Sequence, residues 1–597
     1  MHRAPFSTLV PLDSDAMNTA NAHNDTIDTT ADLLEHEPAA DDEASAPLEW
    51  EPTTDDKAPA QPAKASSTPP AAGWTQRLST PAAGWVATAI ATLIAALIRL
   101  PGLGNVRTLI FDETYYVKDA WSLLTLGYEG TWAKDADTAF INGDTSGLSA
   151  VGGYPVHPPT GKWLIAMGME FFGQADPVGW RIAAAICGII TVFFLCRLAQ
   201  NLFRSPAITL LAGLFLATDG MAIVMSRTSI LDGFLAMFAL ATFLCVVKDQ
   251  LMTQPALSAK LAEWDGLGDP RRGWRSAWEH LTLRDRRPFA IGPNAGNRPW
   301  LFAAGICAGL ASSVKWSGIY VLAFLGLFVA LREVTCRWRA GHPTPIRGAL
   351  LADVWWAFIL MVPTAILTYV ASWFGWFTHS AAHGHGRSGI AGFAGELADL
   401  WLYHKEMWTF HNGLNTPHTY QSNPYTWLAQ VRATSFYWNN GEAVMGCRSG
   451  KCASDVVALG NPLLWWVGIG ALLLVIVATF YYRNWRVGVI ALGYIALYVP
   501  WLAYAHRTIF VFYTVAFAPY VALAVAWMIG LLAGWVTIDG SPEPAPASRQ
   551  TQIAEWVFAG LVTAAILGCA LYFIPLWRGD VIDYDFWRAH MWLPSWI

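Results

Sequence analysis

Eleven apolar stretches, most of them close to twenty residues long, recur between Trp85 and Ile574. No other feature narrows the possible folds as far. As a helix, a run of about twenty residues rises about 30 Å, the thickness of a bilayer's hydrocarbon core. Inside lipid, backbone polar groups must be satisfied within helices or a closed barrel. Barrel strands would alternate in character over about ten residues, whereas these runs are continuous. The expected fold class is therefore an all-α polytopic membrane protein. Composition agrees, with 54% hydrophobic and only 14% charged residues, against about 25% charged in ordinary globular domains.

The runs lie near Trp85–Leu100, Trp180–Leu198, Ile208–Val224, Ile230–Val247, Leu301–Ser313, Ser317–Leu331, Val354–Phe374, Pro462–Tyr482, Val487–Ala503, Ile509–Trp535 and Ile553–Ile574. Two long loops interrupt them, at 103–177 and 375–460. Basic loops mark the cytoplasmic side of a membrane, which places 248–298, Arg332–Arg347 and Arg483–Arg486 inside. An odd number of spans then puts the amino terminus inside, with the carboxyl terminus and both long loops outside. The expected location is the cell membrane. A solute transporter or lipid flippase is one rival reading. No duplicated pair of interrupted helices supports it, although secondary transporters often show one.

Ahead of the first run, residues 1–80 form a separate region. Fourteen of the chain's 44 acidic residues lie between Asp13 and Asp56, among Ala, Thr and Pro. Such a segment buries too little apolar surface to offset the entropy of ordering, so a disordered acidic cytoplasmic tail is expected. It lacks the basic start and prompt apolar core of a signal peptide. Cys447 and Cys452 flank a polar tetrapeptide in the second long loop. A zinc site would need further ligands nearby, so the pair reads as a disulfide in an oxidising compartment or as free thiols in a reducing one. Trp401, Trp408, Trp427 and Trp438 make that loop aromatic, as in helices lying at a membrane interface or in an aromatic belt.

The chemistry-bearing residues crowd the outer side. Asp112 and Glu113 stand next to each other about ten residues beyond the first span. Neighbouring side chains on a helix diverge by about 100°, so one can act as a base while the other orients its surroundings. Alone, an acidic pair in a long loop is solvated surface more often than catalyst. Basic residues at the outer ends of spans are less ordinary: Arg99, Arg181, Arg227, Lys315, His506 and Arg507 all fall there. The positive-inside bias disfavours them, and ionisable groups at membrane depth are usually paired or functional. A lipid phosphate would be a natural partner, because arginine offers its oxygens paired donors; snorkelling to headgroups would account for any single one.

Several motifs resemble a known family when read in order. Phe111-Asp112-Glu113-Thr114-Tyr115-Tyr116 is followed by His157-Pro158-Pro159-Thr160-Gly161-Lys162, then by Ser226-Arg227-Thr228-Ser229-Ile230-Leu231-Asp232. Val314–Gly318, Asn423–Leu428, Arg432–Tyr437, Gly460–Pro462 and His506–Phe510 continue the series. The set resembles the protein O-mannosyltransferase family, particularly its actinobacterial members. The resemblance implies a GT-C glycosyltransferase bundle that moves mannose from polyprenyl-phosphate mannose to Ser/Thr hydroxyls of exported proteins, met as they emerge from a translocon. It implies Asp112 as the catalytic acidic position with Glu113 beside it, and Arg99 and Arg181 as positions tied to activity. His157, Lys162, Arg227, Lys315, His506 and Arg507 join them as donor-phosphate or supporting residues, with Tyr115 and Tyr116 as acceptor or sugar contacts. No essential cofactor or metal is expected, and no nucleic-acid partner. Two departures stand out. The second loop is too short for the β-trefoil domain of eukaryotic members, and Thr160 replaces a usually apolar residue. A related GT-C enzyme acting on a lipid or cell-wall glycan is the nearest alternative.

Overall fold

The computed structural model describes residues 81–154, 156–266, 291–441, 446–447, 450–541 and 548–597. The acidic tail over 1–80 lies outside the described residues, as do Arg271, Arg272, Arg275, Arg284, Arg286 and Arg287 of the basic loop. In chain order the helices are α1 (Pro81–Arg99), α2 (Glu113–Leu126), α3 (Thr160–Phe172), α4 (Pro177–Phe203), α5 (Pro206–Ala217), α6 (Gly220–Met225), α7 (Leu231–Ala262), α8 (Pro299–Val314) and α9 (Gly318–Arg339). There follow α10 (Pro345–Ser372), α11 (Gly392–Gly413), α12 (Pro462–Phe480), α13 (Trp485–Leu502), α14 (Ala518–Leu532) and α15 (Arg549–Trp577). Eight described helices are long and apolar enough to cross a membrane; α5, α8 and α14 are shorter apolar helices. Each of the eleven apolar runs in the sequence is thus helical over most of its length.

Local sequence explains where several spans begin. Asp176-Pro177, Ser205-Pro206 and Asn461-Pro462 each put a polar cap ahead of a proline, and each cap side chain accepts a backbone N–H of the first turn. That pattern satisfies otherwise orphaned donors and uses proline where its missing N–H costs nothing. Helix α7 is the axis of the bundle, buried along most of its apolar length. Helix α1 turns Trp85, Val86, Leu93 and Leu97 outward, as a lipid-facing helix must.

Two expectations need correction. The polar segment expected from Lys248 is helical up to Ala262, where Leu257 and Leu261 pack with Ala295. Its scattered polar residues were compatible with an amphipathic extension of α7 past the apolar zone. The run starting at Ile509 opens as a 3-10 turn, Val511–Ala516, before α14, because its aromatic side chains wall the site described below. Outside the helical bundle, the long loops carry short strands. Strands β1 (Gly130–Trp132) and β2 (Leu148–Gly152) pair in the first long loop. In the second, β3 (Thr434–Gly441) and β4 (Cys452–Ala458) form a hairpin, joined by β5 (Ile582–Asp583) near the end of the chain. Cys447 and Cys452 are disulfide-bonded at its tip, with Cα atoms 5.7 Å apart.

The aromatic loop residues divide by burial. Trp401 and Trp408 are exposed on α11, whose other face buries Leu400, Tyr403 and Met407. Trp427 is instead fully buried and donates to Ser422, so it belongs to the core rather than to an interfacial belt.

Candidate active site

Phe111 has a φ of 50°, a left-handed conformation that is unusual for a bulky residue. An aromatic clamp holds it: Phe436 stacks on its ring at 4.7 Å, while Phe510 and Phe512 meet it edge-on at 5.7 and 5.5 Å. Residues in such sparsely populated conformations cost about 1–3 kcal/mol and persist only where their surroundings over-determine them. Here β3 and the 3-10 turn do so. The resulting kink sets Asp112 at the cap position of α2 without a side-chain hydrogen bond to the helix. Asp112 thereby forgoes a cap worth about 1 kcal/mol, which leaves its carboxylate oxygens uncommitted to the helix backbone.

Glu113 turns the opposite way and is completely buried. The Arg181 guanidinium donates from Nε to its Oε1 at 2.8 Å and from Nη2 to its Oε2 at 2.7 Å. The backbone N–H groups of Ile110 and Ser229 also donate to this carboxylate. Arg181 further donates to the carbonyls of Val106 and Thr108. Breaking such a buried pair by deleting one partner costs about 3–5 kcal/mol. Glu113 and Arg181 therefore knot the loop to the bundle below Asp112, with four of the five guanidinium N–H groups directed at protein oxygens.

The same test sorts the remaining basic residues. Arg99 donates to Ser226 and to the carbonyls of Leu216 and Ala217. Arg227 caps the end of α1 through the carbonyls of Arg99, Pro101 and Gly102. Lys162 bridges Glu129 at 3.0 Å and Asp119 at 3.5 Å. Arg99, Arg181, Arg227 and Lys162 thus each direct donors at protein oxygens. His506 is exposed, its ring 6.3 Å from that of Tyr504. Arg507 differs. Its guanidinium lies 6.0 Å from the Tyr504 ring, its buried Nε has no hydrogen-bond partner among the described residues, and burial lowers its pKa from the ordinary value.

Around Asp112 the structure gathers Tyr116, Asp232, Lys315, Tyr513 and His157. Tyr116 lies within reach of Asp112 one turn along α2, whereas Tyr115 faces outward and is half exposed. The Lys315 ammonium is held by both oxygens of Asp232, at 2.8 and 3.0 Å, and sits 3.7 Å from the Tyr513 ring centre. Desolvation pushes the Asp112 pKa up to about 6, against the pull of Lys315 and with the push of Asp232. The side chain nonetheless keeps some contact with solvent, as a carboxylate in a recess would. His157 lies 6.0 Å from Tyr116 and 4.9 Å from His411, ring to ring. Burial and nearby cations push both imidazoles well down, His411 to about 4; they are neutral at ordinary pH. Among the described residues no group of three or more His, Cys, Asp or Glu gathers as a metal site.

Several of these residues gave no signal as site residues in the sequence. Asp232 was visible only as the last letter of a motif, Asp119 and Glu129 as loop acids, and His411 and Tyr513 as ordinary aromatics. The spacing of Asp112, Tyr116 and Asp119 is the one usable clue, because steps of four and three place them on one face of α2.

Comparison with known proteins follows the same outline. A family profile described as "Dolichyl-phosphate-mannose-protein mannosyltransferase" matches residues 89–264. A second, "C-terminal four TMM region of protein-O-mannosyltransferase", matches residues 396–596. The chain is 32% identical over 537 residues to a polyprenol-phosphate-mannose–protein mannosyltransferase of Mycolicibacterium smegmatis, covering 86% of this chain and 93% of that one. The protein of the same name from Corynebacterium glutamicum is 29% identical over 547 residues, covering 88% and 95%. In structure, the chain resembles the S. cerevisiae protein O-mannosyltransferase Pmt1-Pmt2 complex solved with its sugar donor, with a TM-score of 0.61 at 14% identity over 87% of this chain and 94% of that one. That likeness shows a shared GT-C membrane fold. With the family profiles at both ends and a relative aligned over most of both lengths, the chain belongs to the protein O-mannosyltransferase family.

Proposed function

We propose that this enzyme transfers mannose from polyprenyl-phosphate mannose to Ser or Thr hydroxyls of exported proteins, by a single inverting displacement at the outer face of the cell membrane. Family membership and the names of its relatives support the donor and the acceptor class. The observation that carries the mechanism is the contrast between two adjacent carboxylates. Glu113 is fully engaged, whereas Asp112 is uncapped, faces the recess and has its pKa near 6. A base works best with a pKa close to operating pH and within hydrogen-bond reach of the proton it takes.

In the reaction, Asp112 accepts the proton of the acceptor hydroxyl as its oxygen attacks mannose C1. The C1–O bond to phosphate breaks with inversion, and the polyprenyl phosphate departs with the bonding pair. Because phosphate leaves as a stable anion, fixed positive charge can replace a general acid. Arg507, with unused donors, is the proposed phosphate ligand, and Lys315 adds positive potential from the recess floor. Tyr116 and His157 line the approach of the acceptor or sugar. The amino terminus is assigned to the cytoplasm and both long loops to the outside, where an unfolded acceptor emerges from an export channel.

The test uses the purified protein with radiolabelled polyprenyl-phosphate mannose and a Ser/Thr-rich peptide. Label should enter the peptide with inverted anomeric configuration, and Asp112→Asn should stop it. Labelling of a lipid or glycan acceptor, with none on peptide, would redirect the reading to a different GT-C acceptor.

A further inference from the structure

We infer that Asp232 is a positioning residue that sets the basicity of Asp112, by holding the Lys315 ammonium and by presenting its own negative charge to the recess. This inference rests on the reading of Asp112 as the base.

The geometry is specific. Asp232 is the second residue of α7 and is buried, as is Lys315. Its carboxylate grips the ammonium with both oxygens, at 2.8 and 3.0 Å, and the Tyr513 ring covers another side at 3.7 Å. Lys315 itself follows directly on α8 in an extended conformation, so the α8–α9 turn delivers it sideways onto the start of α7. One cation therefore serves two carboxylates, and its short contacts go to Asp232.

The charged and titratable groups facing Asp112 come from each element packed on it. Tyr116 belongs to α2, with Tyr115 beside it at the surface, His157 to the segment before α3, Asp232 to α7, Lys315 to the α8–α9 turn and Tyr513 to the 3-10 turn. The phenols stay neutral, since every one is shifted upward or dominated by burial in the protonated direction. Lys315 draws the Asp112 pKa down and Asp232 pushes it up, so the two act in opposition. Deleting Asp232 removes the push and frees Lys315 to pair with Asp112; both changes favour a weaker base. Deleting Lys315 does the reverse. A residue that merely braces the fold would not move the two profiles in opposite directions.

The experiment measures kcat/KM for mannosyl transfer against pH for the full-length protein in detergent or liposomes. Asp232→Asn should move the acidic limb to lower pH by about 0.5 unit or more, a roughly threefold change in the apparent acid constant. Lys315→Met should move it to higher pH. Asp232→Glu should keep the wild-type limb, and the double variant Asp232→Asn/Lys315→Met should lie between the single ones. An unmoved or upward limb in Asp232→Asn, or shifts of the same sign in both single variants, overturns the inference. Should Asp232→Asn fail to accumulate in membranes, Lys315→Met and Asp232→Glu decide: a limb that stays or falls in the former, or leaves the wild-type position in the latter, refutes it. Asp112→Asn run alongside separates the two claims. Transfer by that variant would sink the proposed function itself, whereas an inactive Asp112→Asn with an unmoved Asp232→Asn limb would sink only the role of Asp232.

Discussion

Two clusters of buried charge lie in different parts of this protein, and they are built to different ends. One joins α7, α8, α9 and α10: Asp249 pairs with Arg298 and Arg332, Glu333 with Arg298 and Arg337, and Asp353 with Arg337. Three arginines meet three carboxylates, all of them buried, so charge balances within the protein. The other surrounds Asp112, where Lys315 is shared by two carboxylates and the Arg507 guanidinium, unlike the three arginines above, has no carboxylate partner among the described residues. Desolvating an ion costs several kcal/mol unless partners offset it. A balanced cluster offsets that cost internally and serves as scaffold. A cation without a paired carboxylate fits the proposed contact with the donor phosphate.

If that contrast is right, substitutions in the two clusters should fail differently. The largest expected effect is on Asp112→Asn, which keeps shape but removes the base. General-base catalysis contributes about 10²–10⁴-fold, so transfer should fall by that factor at unchanged thermal stability and donor affinity. Next comes the knot beneath it. Arg181→Ala leaves Glu113 buried without its cation, and about 3–5 kcal/mol of stability should be lost. Pairing it with Glu113→Gln should restore part of that loss in a heat-aggregation assay. Arg337→Ala, in the balanced cluster, should likewise lower melting temperature while leaving kcat/KM per folded molecule unchanged; a selective loss of kcat there would break the comparison.

Arg507→Gln should act on substrate instead. Hydrogen bonds to charged groups contribute about 1.5–3 kcal/mol, so donor affinity should drop by about 10–150-fold with little change in melting, read by titrating labelled donor. The smallest effect is the pH dependence. Asp112 must be ionised to accept a proton, and its pKa lies at about 6. Transfer should be level above pH 7 and fall about tenfold per unit below pH 6. A flat profile from pH 5 to 8 with a protein that stays folded would remove Asp112 from the proton transfer.

What each level of description could supply is clearest residue by residue. Apolar run length alone fixed the eleven helices, because lipid leaves the backbone few other ways to satisfy its polar groups. Caps such as Asp176-Pro177 and Asn461-Pro462 fixed where spans begin, since capping acts within one turn. The Asp112–Glu113 pair was likewise legible, and so was the divergence of two neighbouring side chains. Their division of labour was not. Glu113 meets Arg181 across 68 positions and Ser229 across 116, and nothing local to either residue announces the partner. The basic residues tell the same story: Arg99 and Arg507 look alike as outer-face arginines, yet one is spent on the carbonyls of Leu216 and Ala217 and the other has donors to spare. Charge type and approximate depth are written in the sequence, because they follow from the residue and its neighbours along the chain. Whether a charge is already satisfied depends on groups that only tertiary packing brings within 3 Å, and that is what separates scaffold from site.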